Sequence, residues 1–147
     1  MARSIIAVIV SYITMFVLNI FAFVGLYVLV GPDHAFKPHR FLASNRWIAI
    51  TFVLIFITAV LAGLLCSAIA KGGKAPLALA VVVLVLGLLL AVPSVMKSKA
   101  NSEMIRLGPV AWNEAMNNAY WPIWAPFAFP FISAVGVLVG GKLKRRS

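Results

Sequence analysis

Of the 147 residues, 63% are apolar and only 11% charged, against about 45–50% and about 25% in ordinary soluble domains, so the chain is not a soluble globular domain. Its formal net charge of +10 sits beside long apolar stretches and not in any nucleic-acid-binding module, which points to lipid head groups and argues against a nucleic-acid partner. A single cysteine, Cys66, leaves no intrachain disulfide, Cys-rich zinc site or dithiol redox pair, and reads as a small packing residue.

The first apolar stretch runs from about 4 to 30. It is too long for a signal peptide and no small-residue cleavage site follows, so it is expected to be retained. At about 1.5 Å per residue it is near 40 Å long and tilts in, or projects from, a core about 30 Å thick. Asn19 lies near its centre, on one stripe with Ser11 and Met15. An amide in hydrocarbon needs a partner, and an interhelical hydrogen bond worth about 0.6–2 kcal/mol is the simpler reading. The sharper reading lines a pore or ligand cavity with Asn19, Thr51 and Thr58.

Loop 31–46 carries Asp33, His34 and His39, which with Glu103 or Glu114 would be the raw material of a metal site. The five-residue His spacing is broken by Pro38 and matches no ligand motif, and Lys37 and Arg40 repel a cation. No metal and no cofactor is therefore expected. Lys37, Arg40 and Arg46 beside Phe36, Phe41 and Trp47 read as a basic and aromatic edge for anionic head groups or an acidic partner.

Segments two and three run from about 47 to 70 and from about 75 to 96, joined by the tight turn Lys71-Gly72-Gly73-Lys74. Segment two has a stripe of Ala59, Gly63 and Ser67, flanked by Ala62, Cys66 and Ala70, and segment three offers Ala80, Gly87 and Ala91. Small residues let helix backbones approach closely, and the expected use is the seam between these two segments.

Gly108-Pro109 ends any continuation of segment three, and 109–118 reads as a short helix. Trp112, Met116 and Ala119 or Tyr120 take its apolar face, while Asn113, Glu114, Asn117 and Asn118 take the others, an interfacial amphipathic pattern that also suits a partner. Segment four runs from about 119 to 141, with Pro122, Pro126 and Pro130 on one face. Pro122 suits a first turn, whereas Pro126 and Pro130 predict a helix that kinks, widens or starts late. One reading gives an aromatic collar of Tyr120, Trp121 and Trp124; the other gives a broken helix lining a polar cavity.

No Asp, Glu, Lys, Arg or His lies deep in a segment, which argues against proton relays, ion-coupled carriers and buried haem. With four spans, Arg3, Lys71, Lys74, Lys142, Lys144, Arg145 and Arg146 share one face, and Lys37, Arg40, Arg46, Lys97, Lys99 and Arg106 share the other with all 3 acids. That bias, one cation in 13, favours cytoplasmic termini in a bacterial inner membrane and also admits dual topology in an antiparallel homodimer.

The expected fold is all-α: an integral membrane four-helix bundle, one domain over 1–147, with short loops and a short interfacial amphipathic helix before the last span. The expected function is non-enzymatic, as an accessory or assembly subunit of a larger membrane complex or as a homo-oligomer. Its expected partners are membrane lipids and other membrane-protein subunits or itself. A small transporter or channel with a Pro-broken fourth helix is the alternative. An interfacial enzyme using Asp33, His34, His39 and Glu114 is the third reading.

Overall fold

The computed structural model describes residues 1–71 and 73–146; Gly72, in the predicted tight turn, and Ser147 lie outside the described residues. The chain is helical: α1 (Ala2–Val30), α2 (Pro32–Ala35), α3 (Asn45–Ala70), α4 (Ala75–Asn101), α5 (Trp112–Asn118) and α6 (Ala125–Arg146). α1, α3, α4 and α6 are each long and apolar enough to cross a membrane. Among the described residues, β-pairing is limited to isolated bridges in the loops.

Several helix boundaries differ from the sequence reading: α5 begins at Trp112 and not at 109, and α6 runs on to Arg146 where segment four was expected to end near 141. α4 continues to Asn101, beyond the apolar stretch and through Pro93, because Lys97 and Asn101 find partners on α5 and Ser98 on the 119–124 segment. α6 begins at Ala125 and not near 119, so Pro122 stands before the helix instead of in its first turn. The Ala125 N–H donates to the Pro122 carbonyl at 2.9 Å and the Ala128 N–H to the Trp124 carbonyl at 3.2 Å, which starts the helix one turn later. Pro126 then occupies the first turn, where a missing N–H breaks nothing. Pro130 alone is internal, and the helix runs through it unbroken to Arg146. The broken fourth helix is absent.

At one end of the bundle, basic side chains close the helix termini. Arg3 Nε donates to the Ile69 carbonyl in the last turn of α3 at 2.6 Å, and Arg145 donates to the Gly73 carbonyl in the α3–α4 turn. Cations suit the orphan carbonyls of a helix C-terminus, and these two bring both chain termini to that turn.

α6 is the hub of the packing, lying along α3 most extensively and along α4 next, while α1 rests mainly on α3. The predicted seam between segments two and three is therefore corrected, because Ala59, Gly63 and Ser67 of α3 and Gly87 of α4 meet α6. A Cβ on Gly63 would overlap the Val137 carbonyl, and one on Gly140 would overlap the Val60 carbonyl. A Cβ on Gly136 would come within 2.7 Å of Ala59 Cβ, and one on Gly87 within 2.6 Å of Pro130 Cγ. The physical reason lies in α6 itself, where Gly136 and Gly140 stand four apart and present bare backbone to the Ala59–Gly63–Ser67 stripe. Two helices touch most closely where both lack side chains, and the glycine of α4, Gly87, meets Pro130 of α6 and not α3. Ser67 seals the seam by donating to the Gly141 carbonyl at 3.3 Å.

Candidate functional site

The opposite end carries a cap built from loop 31–44, the 102–111 segment, α5 and the 119–124 segment. Gly31, at φ 80°, turns the chain out of α1, and loop 31–44 folds back on itself with Phe36 bridged to Ala43. The Lys37 N–H donates to the Leu42 carbonyl at 2.9 Å and the Ser44 N–H to the Ala35 carbonyl at 2.8 Å. Ser44 then caps α3 by accepting from the Trp47 N–H at 3.1 Å.

This folded loop is clamped on two sides. On one, the Arg106 N–H donates to the His39 carbonyl at 3.1 Å; on the other, the Tyr120 N–H donates to the Phe41 carbonyl and the Ala43 N–H to the Tyr120 carbonyl, each at 3.1 Å. Arg106 is 6% exposed and donates from Nη1 to Asp33 Oδ1 at 2.9 Å and to the Gly108 carbonyl at 3.1 Å. Asp33 is 75% exposed, so the pair contributes about 1 kcal/mol or less and serves mainly to hold the two loops in register.

Beneath the backbone lies an aromatic cluster centred on Tyr27, near the end of α1. Its ring meets Trp112 at 5.3 Å, Trp47 at 6.3 Å and Phe36 at 6.4 Å, all nearly edge-on, and its hydroxyl donates to the Val110 carbonyl at 2.9 Å. Edge-to-face contacts of this kind add about 0.5–1.5 kcal/mol each beyond burial.

Below the cap is a cavity of about 490 Å³, walled by α1 on one side and by α4 and α5 on the other. Its lining is mainly apolar, with Asn19, Ser94, Lys97, Ser98 and the hydroxyls of Tyr27 and Tyr120 as its polar members, and no acid lines it among the described residues. A second cavity of about 340 Å³ lies deeper, among α1, α3, α4 and α6, and shares Phe23, Ser94 and Trp121 with the first. Lys97 Nζ donates to the Met116 carbonyl at 2.6 Å and Asn101 Nδ2 to the Asn118 carbonyl at 3.2 Å, so the last turn of α4 supplies donors to the open C-terminus of α5.

Comparison with family models, curated proteins and solved structures finds no match for this chain. What the site does must therefore be read from its own chemistry.

The expected basic and aromatic edge keeps only its cations. Lys37, Arg40 and Arg46 are exposed, but Trp47, Phe36 and Phe41 are turned into the cap at 6%, 5% and 4% exposure. The aromatic rings stabilise the cap more by burial against Tyr27 than they would on its rim. On α5, Ala115 and not Met116 takes the buried position, because close approach of so short a helix to the cluster admits only a small side chain there. Asn113, Glu114 and Asn117 are exposed beside it. Trp112 and Trp121 are half-buried on the larger cavity, and Trp124 is exposed with its ring 5.8 Å from Phe52.

Within the helices, Thr58 Oγ1 lies 2.9 Å from Asn19 Oδ1 and 3.0 Å from the Ile55 carbonyl, so its proton joins α1 to α3 or closes its own turn. Asn19 also lines the larger cavity, and Thr51 lines the deeper one with its buried hydroxyl unpartnered among the described residues. Pro126 and Pro130 are buried and line the deeper cavity with Gly87.

Among the described residues, no three His, Cys, Asp or Glu side chains are grouped to hold a metal ion. Asp33 is committed to Arg106, and His34 and His39 are exposed. Tyr27, Arg106 and the polar set of Lys97 and Asn101 as donors and Ser98 as acceptor were not singled out from the sequence. The signal was present for the last three, as polar residues closing a long apolar run.

Proposed function

We propose that the chain is a multi-pass membrane protein whose α1, α3, α4 and α6 form a four-helix bundle, and that it is a non-enzymatic accessory or assembly subunit of a larger membrane complex. One observation carries this reading. The cap is held by its own backbone pairing and aromatic cluster, yet Lys37, Asn113, Glu114 and Asn117 stand exposed on it with no side-chain hydrogen bond or ion pair among the described residues. Exposed polar groups without a partner of their own are what a docking face can offer, since a partner engages them without breaking an existing bond. The partner is another membrane-protein subunit or a second copy of the chain.

Extraction in mild detergent followed by native mass measurement is expected to give a species heavier than the 15.9 kDa chain. The triple variant Asn113→Ala, Glu114→Ala, Asn117→Ala is expected to lower retention of that partner about tenfold without moving the melting temperature, because all three side chains are exposed. A strictly monomeric protein that retains nothing would sink the reading.

The same proposal places the chain in a bacterial inner membrane with cytoplasmic termini. Cysteines placed at His39 and Asn113 are then expected to label from outside, and a reporter fused after Ser147 to be active only in its cytoplasmic form. Replacing Lys144, Arg145 and Arg146 by Gln reverses the small cation bias and is expected to give a mixed population. Mixed labelling of the unmodified chain would replace the single docking face with an antiparallel dimer.

A small transporter or channel is the second reading, and its support is the adjoining pair of cavities that share Phe23, Ser94 and Trp121. It lacks the broken helix, and absence of solute flux in liposomes would remove it.

A further inference from the structure

The cavity between α1 and α4 combines three properties that α5 and the loops do not need for their own folding. Its lining is mainly apolar, it reaches the surface beside Phe16 and Ile20 of α1, which are 59% and 47% exposed, and among the described residues it is lined by one cation, Lys97, and no acid. In a bilayer the exposed Phe16 and Ile20 face the acyl chains, and Lys97 lies near the level of the head groups, one turn from the end of α4.

We propose that this cavity seats one acyl chain of an acidic phospholipid, with the phosphate at Lys97. The proposal rests on the membrane placement above and not on the partner. Volume selects the occupant. At about 490 Å³ the cavity is of small-molecule size. It lies within the roughly 300–1,000 Å³ of small-molecule sites, and a polymethylene chain is narrow enough to follow it. Charge selects the head group. An acyl chain gains little on leaving hydrocarbon for an apolar cavity, so discrimination falls on the polar end, where Lys97 has two N–H donors beyond the one given to Met116. Ser94 and Ser98, one turn apart on α4, place hydroxyls along the same wall.

The competing account is that Lys97 only caps α5. Two variants separate them. In nanodiscs holding equal amounts of phosphatidylglycerol and phosphatidylcholine, native mass spectrometry of the parent protein is expected to show one retained lipid with about fivefold preference for phosphatidylglycerol, the scale set by one surface cation. Lys97→Gln is expected to reduce that preference below about twofold, and Lys97→Arg to keep it. Ser94→Phe, which fills the junction of the two cavities, is expected to abolish retention of either lipid while the protein elutes as a folded species. Equal retention of the two lipids by the parent, or unchanged preference in Lys97→Gln, overturns the proposal and leaves Lys97 as a cap. Retention unaffected by Ser94→Phe overturns the cavity as the seat. Failure of the docking face is read separately, by partner loss in the α5 variant.

Discussion

Gly140→Leu is expected to prevent accumulation of folded protein, and Gly140→Ala to lower stability by about 2–4 kcal/mol. A Cβ at position 140 falls on the Val60 carbonyl, and at position 63 it falls on the Val137 carbonyl, so on both helices the obstacle is backbone and not a side chain that can turn away. Overpacking against movable side chains costs about 1–3 kcal/mol; against backbone, α6 has to move off α3 along its most extensive contact. The Ser67 bond to the Gly141 carbonyl is lost with it. The measurement is the fraction of monodisperse protein that survives a heating series in detergent. Gly25→Ala is the control, because a Cβ at that α1 position meets nothing within 4 Å, and it is expected to match or slightly exceed the parent. Gly63→Ala and Gly140→Ala share the displaced interface, so together they are expected to cost less than the sum. Parent-like survival of Gly140→Leu would mean that α3 and α6 do not meet as described.

The four long helices were legible because each needs only an uninterrupted apolar run, a property of neighbouring residues. Their ends were harder. Three prolines in register do not say which of them opens α6; that is decided by the Ala125 N–H reaching back to Pro122, a contact made only after the chain has turned. The small-residue stripe of α3 announced a close approach without naming the partner, and proximity in sequence pointed to α4. The Gly136–Gly140 pair in α6 was the better guide and needed only to be set against Ala59 and Gly63. Loop 31–46 has no periodicity to read. Its shape comes from backbone bonds to residues near 106 and 120, far along the chain, and those bonds turn Phe36, Phe41 and Trp47 inward where the sequence reading placed them outward. Asn19 was read two ways, and it stands on both: near Thr58 of α3 and on the wall of a cavity.

Tyr27→Ala is expected to unfold the cap while the bundle persists, at a cost of about 3–5 kcal/mol, the range for truncating a large buried aromatic side chain. Tyr27 is 5% exposed and belongs to α1, but nearly all its ring partners lie elsewhere: Trp47 at the start of α3, Phe36 in the folded loop and Trp112 on α5. Removing the ring leaves a void that none of these can fill without leaving its own backbone pairing. Tyr27→Phe keeps the ring and gives up only the bond to the Val110 carbonyl, so about 0.5–1.5 kcal/mol is expected. Hydrogen exchange separates the two outcomes from general unfolding. In Tyr27→Ala the Lys37 amide, which closes loop 31–44 on itself, and those of Ala43, Arg106 and Tyr120, which join the loops, are expected to lose protection, while those of α3 and α6 around Gly63 and Gly136 retain it. Loss of protection in both regions at once would make the cap and bundle a single cooperative unit. Parent-like protection in the loops would show that the backbone pairing holds the cap without its aromatic centre, and the docking face would then owe its rigidity to Arg106 and the bridges alone.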